Sequence, residues 1–195
     1  MIGIIYYGAG NLYSLQCALD RVGAAYMLVK EPVQLSQVSK LIIPGVGHAE
    51  AAMKKLNATG LVPYIQETEK PVLGICLGMQ LLTSHSEEGD TNLLNLIPLH
   101  TKRFSGGGLK VPQMGWNTVT PVNDSPLFKD IPAESYFYFV HSYAVAPHPE
   151  YSASLTIYGT QYSSAIQKDN YYGVQFHPEK SGTAGEQLLK NFIRL

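Results

Sequence analysis

The sequence predicts a three-layer α/β sandwich on a mixed, largely parallel sheet. Three observations lead there. Short, continuously apolar runs alternate with helical patterns through the first half, as in a parallel sheet covered on both faces. Glycine-containing turns close several of these runs. The second half carries more short strand candidates, and a strongly amphipathic helix closes the sequence.

Ile2 to Tyr7 is the first strand, and Gly8-Ala9-Gly10 turns the chain. Asn11 is placed to cap a helix in which Leu12, Leu15, Ala18, Leu19 and Val22 recur at helical spacing. Gly23 stops it. Tyr26 to Val29 is a second strand. Leu41-Ile42-Ile43 is a third, leading into Pro44-Gly45-Val46-Gly47 and a helix from about Ala49 to Leu56. Pro71 to Ile75 is a fourth, with a helix from Leu77 onward. Further strands are predicted at Val119, Tyr136 to Val140, Ser154 to Ile157, Ser163 to Gln167 and Tyr172 to Gln175. Thr183-Ala184-Gly185-Glu186 has capping-box form, and Leu188, Leu189, Phe192 and Ile193 make the apolar stripe of the last helix.

Length and charge bound the function. The 195 residues fit one domain, 1–195, since domains run to roughly 100–200 residues. Fourteen Lys and Arg against 15 Asp and Glu give a net charge of −1, so no basic face for nucleic acid is expected. No apolar run reaches the ~18–20 residues of a membrane span. The first basic residue, Arg21, follows the apolar start, which is unlike a secretory signal, so a cytoplasmic location is expected. The two cysteines, Cys17 and Cys76, make neither a disulfide framework nor a four-ligand zinc site, which fits a reducing cytoplasm. Charged residues are only 15% of the chain, against about 25% in typical domains, which hints at a face covered by a partner.

The chemistry concentrates at Gly74-Ile75-Cys76-Leu77-Gly78. This is the G-x-S-x-G elbow with cysteine in the serine position, at a strand-to-helix junction. Flanking glycines make room for a nucleophile on a tight turn. A helix N-terminus beside the sulfur favours thiolate, and the Leu77 amide is placed for an oxyanion. Without the glycines, Cys76 would read as a small core residue, which is the reading kept for Cys17.

A cysteine nucleophile needs a base distant in sequence but near in space. His177, in Gly173-Val174-Gln175-Phe176-His177-Pro178-Glu179, lies at the end of an apolar strand, where α/β sites form. Glu179, two residues on, shares its face in extended conformation and can fix the imidazole tautomer. His141 is the rival, but no carboxylate lies near it in sequence, so it reads as structural or substrate-lining. Pro44-Gly45-Val46-Gly47 has the backbone freedom to supply a second oxyanion amide. Gly106-Gly107-Gly108, between Arg103 and Lys110, reads as a flexible surface loop.

Taken together, these segments resemble a known family. Gly74 to Leu82 resembles the nucleophile segment of the class I, triad-type glutamine amidotransferases. Gly173 to Glu179 resembles their His-x-Glu segment, and Pro44 to Gly47 their oxyanion strand. Tyr7 to Asn11, Met114 to Asn117, Tyr138 to Tyr143 and Lys180-Ser181 are similar to one branch, the glutaminases of histidine biosynthesis. Tyr6, Thr83-Ser84-His85, His48-Ala49 and Gln113 depart from that pattern without touching the triad.

The resemblance implies that Cys76, His177 and Glu179 hydrolyse L-glutamine to glutamate and ammonia without metal or cofactor. Leu77 with Val46 and Gly47 would hold the oxyanion, and Gly45, Gln80, Ser142 and Tyr143 the substrate. It also implies a heterodimer with a (β/α)8-barrel cyclase that takes the ammonia. Asn11, Trp116, Tyr136 or Tyr138, and Lys180 are expected on the shared face, with core packing the alternative for Trp116. Three other readings stay open: a glutaminase feeding another synthase, a stand-alone cysteine γ-glutamyl hydrolase, and a catalytically silent regulatory module.

Overall fold

The computed structural model describes residues 1–105 and 108–195. Four strands, β1 (Ile2–Ile5), β2 (Tyr26–Val29), β3 (Lys40–Gly45) and β4 (Val72–Cys76), alternate with α1 (Leu12–Arg21), α2 (Ala49–Ala58) and α3 (Val62–Glu67). The short helix α4 (Leu77–Leu81) follows β4 directly. Next come β5 (His85–Ser86), β6 (Thr91–Asn92), β7 (His100–Arg103), β8 (Gln113–Pro121), β9 (Ser135–His141), β10 (Tyr143–Val145), β11 (Ser152–Tyr158), β12 (Thr160–Lys168) and β13 (Tyr171–Val174). The last helix is α5 (Gly182–Arg194).

The sheet runs β2-β1-β3-β4-β13-β12-β10-β7-β5-β6, with β11 on β12 and β8, and β9 on β8. The first five strands are mutually parallel. Beyond β13 most pairings are antiparallel. The parallel half explains the unbroken apolar runs. Its side chains alternate between two separate cores, because successive Cβ atoms point to opposite faces. Ile4, Ile42, Leu73, Ile75 and Val174 pack with Leu15 and Leu19 of α1 and Leu188, Leu189 and Phe192 of α5. Ile5, Leu41, Ile43 and Val72 pack with Met53 and Leu56 of α2, Ile65 of α3, and Leu77 and Met79 of α4. Helices therefore cover both faces, giving the three layers.

Local expectations hold in part. The Asn11 carboxamide oxygen caps α1 by accepting the Ser14 amide N–H at 3.3 Å. The capping box at Thr183 does not form. Helix α5 begins two residues earlier, with Ser181 as its N-cap, and the Ser181 hydroxyl is committed elsewhere, donating to the His177 carbonyl. Cys17 is half-buried rather than in the core. Gly106 and Gly107, read as part of a flexible loop, lie outside the described residues. No helix among the described residues is long and apolar enough to cross a membrane.

Candidate active site

Cys76 ends β4 and immediately precedes α4, with φ 54° and ψ −111°. A non-glycine residue at positive φ is uncommon and typical of a nucleophile elbow. The turn closes because Gly74 and Gly78 lack side chains. A Cβ at Gly78 would fall onto the Ile43 carbonyl oxygen, and one at Gly74 onto the backbone of Gly78. Helix α4 has only five residues, so its aligned peptide dipole is smaller than the sequence suggested. The Cys76 sulfur lies 3.8 Å from the Val140 carbonyl oxygen, to which the thiol can donate.

The base arrives on the neighbouring strand. β13 is parallel to β4, with Val174 opposite Ile75. The chain past β13 therefore runs beside Cys76. His177 Nδ1–H donates to Glu179 Oε1 at 2.7 Å, and the two side chains are only 3% and 4% exposed. The contact forms from a tight 3₁₀ turn, Pro178–Lys180, rather than from the extended segment expected. Burial alone would depress the imidazole, but the Cys76 sulfur and the Glu179 carboxylate reverse this and raise its pKa to about 10. A protonated imidazole beside the sulfur is the form that stabilises a thiolate and can later give up a proton.

Cys76 and His177 share one cavity of about 270 Å³ with Val46, Gly47, Leu77, Gln80, Ser142 and Tyr143. Gly45 does not line it. That residue is buried in β3, opposite Cys76, and borders a smaller hollow shared with Asn11 and Glu179. Gln80 lines the cavity with its amide nitrogen already engaged, donating to the Tyr143 carbonyl at 3.2 Å and to Gln175 Oε1 at 3.0 Å. His141 also lines it. Its Nδ1–H donates to the same Tyr143 carbonyl at 2.7 Å. Burial lowers the His141 pKa to about 4, helped by nearby His177 and opposed by the Tyr143 bond, so it is neutral. A neutral imidazole bound to a carbonyl and lacking a carboxylate suits lining, not the base role.

Sequence reading passed over two residues. Among the described residues Glu88 is the single carboxylate on the cavity wall, and its Oε2 accepts the Ala49 amide N–H at 2.7 Å at the start of α2. Gln175 lies within the Gly173 to Glu179 segment, where the sequence pattern assigns it no role. Its Nε2 approaches the Cys76 sulfur at 3.6 Å. Its position immediately beyond β13, two residues before His177, is the only signal the sequence held for it. Glu88 had none, because its neighbour Ala49 is far away in the chain.

The segment after β3 is held at one end and open at the other. The Tyr7 hydroxyl donates to the Pro44 carbonyl at 2.7 Å. Val46 and Gly47 are exposed, and Gly47 has φ +100° with no heavy atom near its missing Cβ. Its peptide units thus have the freedom that an oxyanion donor needs in order to reorient.

A second surface lies beside the site. Trp116 on β8 is paired with Tyr138 on β9, their rings edge to face at 6.0 Å. The Lys180 ammonium stands 5.7 Å from the centre of the Tyr138 ring. Met114 and Tyr136 extend this face, and Trp116 is 57% exposed, so core packing is not its role. Among the described residues, no group of three or more His, Cys, Asp or Glu is arranged to hold a metal.

The family described as glutamine amidotransferase class-I matches residues 4–195. An imidazole glycerol phosphate synthase subunit HisH from Haemophilus influenzae is 51% identical over 192 residues, covering 98% of this chain and 96% of its own. The subunit of that name from Idiomarina loihiensis is 50% identical over 185 residues, covering 95% and 93%. The one from Bacteroides fragilis is 45% identical over 196 residues, covering 100% and 99%. In fold, the structure of PurLQS from Thermotoga maritima superposes with a TM-score of 0.76 at 16% identity, over 99% of this chain and 97% of that one. A crystal structure of a glutamine amidotransferase superposes at 0.77, with 16% identity and 99% and 97% coverage.

Proposed function

The chain belongs to the class I glutamine amidotransferases, and on that premise we propose that it is the glutaminase subunit of an imidazole glycerol phosphate synthase. One observation carries the reading: Cys76 and His177, the latter bonded to Glu179, face one cavity from adjacent parallel strands.

The Cys76 thiolate attacks the carboxamide carbon of L-glutamine. The amide of Leu77 and one from Val46 or Gly47 take the negative charge that develops on oxygen. The His177 imidazolium, oriented by Glu179, gives its proton to the departing nitrogen, and the C–N bond breaks to leave ammonia and a thioester. The neutral imidazole then takes a proton from water, whose oxygen attacks the thioester. Glutamate leaves and the thiolate returns. Glu88 receives the substrate ammonium, while Gln80 with the backbone of Ser142 and Tyr143 fixes the remainder.

Ammonia released into water would be protonated and lost as a nucleophile. The exposed face of Trp116, Tyr138 and Lys180 beside the base, with Asn11 at the hollow behind Glu179, supports docking of the acceptor enzyme there. In this reading the partner is a (β/α)8-barrel cyclase that turns the ammonia into imidazole glycerol phosphate and an aminoimidazole carboxamide ribotide. The whole chain, 1–195, then acts as one glutaminase domain of a heterodimer. Its place is the cytoplasm, where Cys76 stays reduced.

The test is glutamate release by the chain alone, by the chain with the cyclase, and by Cys76→Ala. Turnover should vanish in the variant and rise with the cyclase. Retained turnover in Cys76→Ala overturns the triad. A rate indifferent to the cyclase overturns the coupling and leaves the glutaminase reading in place.

A further inference from the structure

We propose that Gln175 is a further catalytic residue, whose side-chain amide donates a hydrogen bond to the Cys76 sulfur and holds it as the thiolate that reacts. The inference rests on the reading of Cys76 as the nucleophile. It concerns a residue outside the triad.

The polarity of this contact is set from outside the triad. The Tyr143 carbonyl can only accept. Two donors meet on it, the His141 ring at 2.7 Å and the Gln80 amide nitrogen at 3.2 Å. Gln80 must therefore turn its NH2 toward Tyr143, and its second N–H then points to Gln175 at 3.0 Å. Gln175 has to present its carbonyl oxygen there, which leaves its own NH2 facing the sulfur at 3.6 Å. One backbone carbonyl thus fixes the orientation of two carboxamides in series. Neither can flip without placing two donors or two acceptors against each other.

Burial makes the arrangement count. Gln175 is fully buried and Gln80 nearly so, and water does not compete for these bonds. Sulfur is a weak acceptor as a thiol and a much stronger one as a thiolate, so the N–H favours the charged form. The competing contact is the Val140 carbonyl at 3.8 Å, which can only receive a proton from sulfur and favours the thiol. The sulfur lies between a donor that stabilises its reactive form and an acceptor that stabilises its resting one. Gln175 is also close to the base in sequence, so Phe176 alone separates the donor to the nucleophile from His177.

The test reads the thiolate directly, in a Cys17→Ser background, through the rate of Cys76 alkylation by iodoacetamide across pH. Gln175→Glu keeps the size of the side chain and an oxygen for Gln80, but turns an acceptor toward sulfur. Gln80→Glu never touches the sulfur, yet reverses the donor order and turns the Gln175 oxygen inward. In each, the midpoint of the rate against pH should move up by about one unit or more, equivalent to a roughly tenfold slower reaction below the midpoint. Glutaminase kcat of Gln175→Glu should fall about tenfold or more with KM within about threefold. Wild-type midpoints in both variants, each with a wild-type melting profile, overturn the proposal. If Gln175→Glu does not fold, an unshifted midpoint in Gln80→Glu overturns it alone. Shifted midpoints in a chain that never releases glutamate would uphold this inference and sink the proposed function.

Discussion

The backbone carbonyl of Tyr138 accepts the amide N–H of His177 at 2.9 Å. The Ser181 hydroxyl closes the link from the other side. It accepts the Tyr138 N–H at 3.0 Å and donates to the His177 carbonyl at 2.6 Å. The base of the triad is thereby fastened to β9, the strand that carries half of the exposed aromatic face. A partner that shifts the β8–β9 hairpin moves the imidazole with it.

Ser181→Ala removes both hydroxyl bonds and leaves the Tyr138 amide without a partner, while the His177 carbonyl keeps the Lys180 N–H, a loss of about 1–3 kcal/mol of stability. His177 keeps its backbone bond to Tyr138 and its contact with Glu179 but loses the hydroxyl that ties it to β9 from the other side. Steady-state kinetics should show kcat down by about tenfold or more, since small misplacements at a reacting centre are costly, with KM little changed. A raised KM with kcat unchanged would place the effect in substrate binding instead.

Gly78→Ala puts a methyl group onto the Ile43 carbonyl in β3. The strand cannot yield, because it pairs with both β1 and β4. We expect destabilisation of about 1–3 kcal/mol by urea titration, the range of overpacked cores, together with loss of glutaminase activity. Gly60→Ala is the comparison. Nothing crowds that position, and its cost should be confined to its positive φ.

The raised pKa of His177 fixes the sign of a pH effect. Unfolded, the imidazole titrates near ~6.5, and folded it titrates at about 10. Protonation therefore favours the folded state, fully below ~6.5 and progressively less as pH rises to about 10. The stability advantage of wild type over His177→Gln should be largest near pH ~6 and shrink toward pH ~10 in paired urea titrations. A constant difference across that window would mean that the imidazole is not charged in the folded protein.

Trp116→Ala removes a ring that is more than half exposed, so thermal stability should stay within about 0.5 kcal/mol of wild type. Glutamate release without the cyclase should be unaffected. Binding to the cyclase, measured by titration calorimetry, should weaken at least about tenfold if the ring anchors the docked face. Unaltered affinity would remove this face from the interface.

The sequence was most legible where one physical demand dominated. Leu41 to Ile43 and the elbow at Cys76 are legible because buried parallel strands leave unbroken apolar runs and a nucleophile turn demands glycine. β5 and β6, two residues each and largely polar, carried no periodicity to read. β8 was seen only at Val119, because Met114 and Trp116 make its outward face apolar and erase the alternation. The start of α5 differs from the local pattern because Thr183 lies inside the helix, whose N-cap, Ser181, has its hydroxyl on the His177 carbonyl. Glu88 and Gln175 owe their positions to partners 39 and 99 residues away, contacts that only the closed sheet creates.

The position of β13 has a consequence for how activity first arises. It is the last strand in the chain, yet it inserts between β4 and β12 in the interior of the sheet. Until residues 171–174 emerge and pair, β4 presents an open edge, and a chain still on the ribosome holds its cysteine without a base. Such long-range pairing is slow to form, because distant segments must meet before any contact rewards them. The triad is therefore incomplete until residues 171–179 have emerged and β13 has paired with β4. A nascent or truncated chain is an inert thiol protein, not a weak glutaminase that leaks ammonia.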